Sequence, residues 1–93
     1  MPYINSTDRI LFEDLVDQLA NILIVSSIEN RSGRLNYILS ASINKYLKEA
    51  GTSYFKCNDI IGALESSKLE FYRRKVALYE NKKIKLHGDV YED

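Results

Sequence analysis

Apolar residues recur at spacings of three and four along almost the whole chain, and no run alternates strictly, so the pattern predicts helices and no strands. Phe12, Leu15, Val16, Leu19, Ile22 and Leu23 form the inward stripe of a first helix, expected over about residues 6–28. Asn5, Ser6 and Thr7 are its candidate N-caps, and Asp8 suits the positive end of its dipole. Ile10, Ile24 and Val25 fall off that stripe, so this helix is apolar on more than one side and points to self-association. The polar run Glu29 to Gly33 reads as a turn, with Asn30 or Gly33 able to take a left-handed conformation. A second helix is expected over 35–48 on Leu35, Ile38, Leu39, Ile43, Tyr46 and Leu47, with Gly51 as its C-cap. A third starts either at 54, behind Thr52 and Ser53, or at about 59, and runs to 85 before a tail over 86–93. The expected fold is one all-α domain over 1–93, an antiparallel helical hairpin plus one long C-terminal helix, assembled into a homo-oligomer.

The third helix holds the pattern's main anomaly. Cys57, Ile61, Leu64, Phe71, Leu78 and Tyr79 share a face on a regular helical period, and Lys68, Lys75 and Lys82 land within roughly 40° of its centre. Lysines on an inward face need counter-charge. Glu13, Asp14 and Asp17 of the first helix would supply it in an antiparallel neighbour, lysine stems can also snorkel at the helix edge, and an anionic ligand is the third option.

Composition narrows the function classes. The 93 residues carry 13 basic and 13 acidic side chains, so nucleic acid and anionic membranes have no global charge to bind. One cysteine excludes an internal disulfide, and one histidine with one cysteine is too few for a zinc site within a protomer. No apolar run approaches membrane-spanning length and the N-terminus lacks the basic-then-apolar pattern of a secretory signal, so a cytoplasmic location is expected. No Gly-rich phosphate loop, nucleophile–base pair or inward carboxylate pair is legible, so neither an enzyme nor a bound cofactor is expected.

The residues that carry binding chemistry lie mostly in the third helix. Glu65, Lys68, Tyr72, Arg73, Arg74, Lys75, Tyr79 and Lys83 combine compact charge, bidentate guanidinium groups and aromatic faces, the types that recognise phosphate and stack on bases. Tyr72, Arg73 and Arg74 point three ways around a helix, so one protomer cannot aim all three at one ligand. The bland reading pairs Glu70 with Arg74 and Arg73 with Glu80 on a solvated face. Asn36 and Tyr37 open the second helix, where free N–H groups attract anions. Asp89 and Tyr91 close the set on the tail, placed to clamp a partner or cap the chain end. Gly62 costs about 1 kcal/mol against alanine inside a helix, which suggests close approach of another helix.

At Asp8-Arg9, Leu35-Asn36-Tyr37, Gly62-Ala63-Leu64-Glu65, Lys68-Leu69-Glu70-Phe71-Tyr72-Arg73-Arg74, Tyr79-Glu80, Lys83 and Gly88-Asp89-Val90-Tyr91, the chain resembles a family of short proteins of unknown function associated with tailed phages, prophages and gut metagenomes. Leu78 stands where that family usually has proline, His87 where it has asparagine, and the stretch from Ser26 to Arg34 is longer. The resemblance implies phage origin and the cytoplasm of a host bacterium. With the lysines and tyrosines it leads to the expectation of an oligomeric binding protein that sequesters an anionic small molecule, such as a nucleotide messenger of host antiphage defence. The alternative is a structural or interaction module that meets a host or phage protein through the tail and outer arginines.

Overall fold

A computed structural model of the chain describes residues 2–91, and all its regular structure is helical. Three helical stretches cover 6–25, 28–50 and 54–87. The first begins with α1 (Ser6–Arg9), tightens into a 3₁₀ turn at Ile10–Phe12 and continues as α2 (Glu13–Val25). Of the candidate caps Asn5 is used: its Oδ1 accepts from the backbone N–H groups of Thr7 and Asp8 at 2.9 and 3.3 Å. Arg9 Nε donates to the carbonyl of Ile4 at 2.8 Å and holds the arm before the helix.

The turn expected at Glu29 to Gly33 is not formed. The break lies earlier, at Ser26 and Ser27, both extended, and α3 (Ile28–Ala50) takes in the whole polar run. Side chains returning to the break explain this. Arg31 donates to the carbonyls of Ser26 and Ile24, each at 3.2 Å, and Arg34 donates to Ser26 Oγ at 2.6 Å. The Ser26 hydroxyl in turn donates to the Ile22 carbonyl, and Asn30 donates to Ser27 Oγ at 2.7 Å. Carbonyls orphaned at the end of α2 thus receive guanidinium donors from the next helix, and Glu29 sits in the first turn of α3, where the dipole favours it. Residues that look like a turn by composition serve here as the clasp of a helical elbow.

At the other end of α3, Gly51 adopts φ +84° while its N–H donates to Leu47 at 2.9 Å. The ammonium of Lys56 reaches back to the carbonyls of Ala50 and Gly51. Ser53 Oγ accepts from the Lys56 N–H at 3.1 Å, so α4 (Tyr54–Phe71) opens directly at Tyr54, the earlier of the two expected starts. A five-residue π segment, Tyr72–Val76, then interrupts the regular ladder before α5 (Ala77–His87), which ends at Gly88.

The chain divides into two compact units, Tyr3–Cys57 and a second that takes in residues 58–91 and Pro2. Each is short of a core. Among the described residues no apolar side chain is buried, and Ser26 alone falls below a tenth exposed. In the first unit Leu19, Leu23, Ile38, Ile43 and Leu47 are half-buried, while Leu15, Val16, Ile24 and Val25 stay at 60–72% exposure. Full burial of each such side chain stabilises by roughly 1.5–3 kcal/mol, so much apolar stabilisation is unrealised. Among the described residues no helix is long and apolar enough to cross a membrane.

Candidate functional site

The π segment reorganises the third helix. A regular helix turns about 100° per residue, so Glu80 would lie some 80° around from Tyr72, whereas the extra residue of a π turn takes back about 100° and leaves the two nearly in line. The consequence is direct. Tyr72 donates its phenolic proton to Glu80 Oε1 at 2.6 Å. That bond, the Glu80 charge, slight desolvation and the nearby Tyr91 together push the Tyr72 phenol above its ordinary value of 10.0.

The same register shift breaks the expected lysine ladder. Lys68 lies before the π segment and Lys82 after it, and Lys68, Lys75 and Lys82 are all exposed, with no apolar seam enclosing them among the described residues. Lys68 pairs with Glu65 at 3.0 Å, both partners more than half exposed. Arg73 pairs with Glu70 through Nε and a terminal nitrogen, displacing the expected pairings of Glu70 with Arg74 and of Arg73 with Glu80. The solvated Lys68–Glu65 pair contributes only a few tenths of a kcal/mol, whereas in the second pair Glu70 is half-buried beside an exposed Arg73. Arg74 and Lys75 stay exposed within the π segment.

On α5, Glu80, Lys83, Ile84 and His87 follow one helical face, and the backbone beyond Gly88 folds beside it so that Asp89, Val90 and Tyr91 form the opposite wall of an open groove of about 260 Å³. Asp89 Oδ1 accepts from the Tyr91 N–H at 2.9 Å and shapes this turn. The Lys83 ammonium lies 5.4 Å from the ring centre of Tyr79, within cation–π range. Of the expected site residues, Lys83, Asp89 and Tyr91 line this groove, while Tyr72 and Tyr79 touch it only through Glu80 and Lys83. Glu80, Ile84 and His87 complete the groove and are not among the binding residues expected from the sequence, although their spacing of four and three is a readable signal.

Other expected site residues lie apart from this groove. Asn36 accepts from Ser40 Oγ at 3.1 Å on α3. Tyr37 lines a second open cleft of about 520 Å³ at the elbow, with Ile22, Glu29, Asn30, Arg34 and Ile38. Here the Arg34 guanidinium already bonds Ser26, so the cleft offers less unpaired positive charge than its size suggests. Among the described residues nothing lies within 4 Å of the position a Cβ at Gly62 would take.

An all-helical chain with a tyrosine–glutamate clasp across a π turn and a grooved C-terminal end is the class these features define. Residues 1–90 match the family described as Domain of unknown function (DUF6899), and the chain belongs to it. Comparison with curated proteins and with solved structures finds no match.

Proposed function

We propose that the protein is a small binding module that holds an anionic, nucleotide-like molecule in the groove between α5 and the tail, without transforming it. The observation that carries this reading is the meeting of three complementary chemistries there: the exposed aromatic ring of Tyr91, the ammonium of Lys83 with the Tyr79 ring beneath it, and the carboxylates Glu80 and Asp89. Rings stack on bases, lysine answers phosphate, and carboxylates accept from sugar hydroxyls. A bare inorganic anion would meet Glu80 and Asp89 as repulsive neighbours, so a nucleoside phosphate suits the groove better than phosphate alone.

Resemblance to phage-associated proteins extends the proposal to capture of a nucleotide messenger of host antiphage defence; that step rests on resemblance alone. Isothermal titration against a panel of cyclic and adenosine-derived nucleotides tests it. The expected result is saturable binding of one nucleotide class, weakened by Lys83→Glu; silence across the panel overturns it. A second reading, docking of a host or phage protein on the tail, draws on Val90 and Tyr91, each 86% exposed. Recovery of one defined partner that is lost when residues 88–93 are deleted, with no nucleotide bound, would favour it.

A further inference from the structure

We infer that the chain assembles with a second copy of itself through the acidic face of α2 on one protomer and the basic face of α5 on the other. The first ground is exposure. On α2 Leu15, Val16, Ile24 and Val25 are 60–72% exposed, and on α5 Leu78 is 58% and Leu86 73% exposed, so each helix keeps apolar surface that a second copy can cover.

The second ground is charge. The chain is neutral as a whole, yet its charge is sorted by helix. Residues 6–25 carry Asp8, Glu13, Asp14 and Asp17 against Arg9 alone, and residues 72–87 carry six lysines and arginines against Glu80 alone. Of these, Glu13, Asp14, Asp17, Lys82 and Lys85 are in no ion pair among the described residues. Opposite potentials of this kind steer association and set its register.

The third ground is placement. At about 100° per residue, Glu13, Asp17 and Ile24 share an arc of roughly 40° on α2, and Leu78, Lys82 and Lys85 share one of roughly 60° on α5. Ile24 is 69% exposed and Leu78 58% exposed, so each charged face surrounds an uncovered apolar residue of matching size. Lysine stems can lie over Ile24 while their ammonium groups meet the carboxylates. The Leu78 arc lies opposite His87 and Glu80, so a second protomer there leaves the groove beside the tail open.

Sedimentation equilibrium of the full chain at low and high salt tests this, with two charge-reversed variants: Glu13→Lys with Asp17→Lys, and Lys82→Glu with Lys85→Glu. The wild type is expected to dimerise, more weakly in high salt. Each variant alone is expected to dissociate at least about tenfold more readily, because like charges then face each other. An equimolar mixture of the two is expected to recover a mixed dimer, a result that partial unfolding of either variant cannot produce. Circular dichroism checks that each stays helical, and the milder pair Glu13→Gln with Asp17→Asn repeats the test if one does not. A wild type that is monomeric at every concentration, its two units covering each other, overturns the inference, as does a dimer whose affinity ignores all of these substitutions.

Discussion

Tyr72 donates its phenolic proton to Glu80, eight residues further along the same helix, at 2.6 Å. Only the π segment between them makes this possible, because it removes the rotation that would otherwise separate the two side chains. The raised phenol follows from the bond to Glu80 and from its negative charge. A group whose folded value is raised contributes its stability in full below the unfolded value of about 10, and loses it as pH rises through the higher folded value. Ultraviolet titration should therefore show one tyrosine ionising late. Glu80→Gln is expected to return that tyrosine towards its ordinary value, and Tyr72→Phe to abolish the late phase; an unchanged titration in both would contradict the clasp. Stability near neutral pH should not respond to this proton.

The elbow gives a test of why the chain bends at Ser26. Arg34→Ala removes a donor to a buried hydroxyl and is expected to cost about 1–2 kcal/mol, read from urea unfolding. Ser26→Ala should cost a similar amount. The double variant should cost clearly less than the sum, because both changes remove one shared bond. Strict additivity would mean that Ser26 and Arg34 act independently.

Two glycines should respond with opposite sign. Gly62 is helical with open space at its Cβ position, so Gly62→Ala is expected to stabilise by about 1 kcal/mol. Gly51 sits at φ +84°, and Gly51→Ala is expected to destabilise by about 1–2 kcal/mol. Thermal melting followed by circular dichroism reads both. Destabilisation by Gly62→Ala would place another helix against that face.

The two faces of α5 should also separate in function. Tyr91→Leu, on the tail side of the groove, is expected to weaken nucleotide binding by about 1–3 kcal/mol through lost stacking, whereas Lys82→Ala, on the arc away from the tail, should leave it unchanged. Equal losses from both would move the ligand out of the groove.

Much of the architecture was legible along the chain. Asn5 among the caps, the Gly51 stop and the opening of α4 behind Ser53 follow from local hydrogen-bond chemistry that a few neighbouring residues complete by themselves. The break at Ser26 was misplaced because Arg31 and Arg34 bond backward over five to eight residues, and a composition reading cannot tell such a clasp from a turn. The lysine ladder failed for a related reason: it assumed one unbroken helical period, and a single extra residue per turn rotates everything beyond it.

The sequence by itself determined that the chain is helical, where most helices begin and end, and which residue types are available for binding, since each of these depends on side chains within about a turn of one another. Tertiary structure alone decided which of those residues meet. The groove of Glu80, Lys83, His87, Asp89 and Tyr91 exists because the chain turns at Gly88 and the tail lies beside α5, and the Tyr72–Glu80 bond because a π turn realigns them. Spacing along a chain fixes angles only while the helical period holds, and both features arise where it does not.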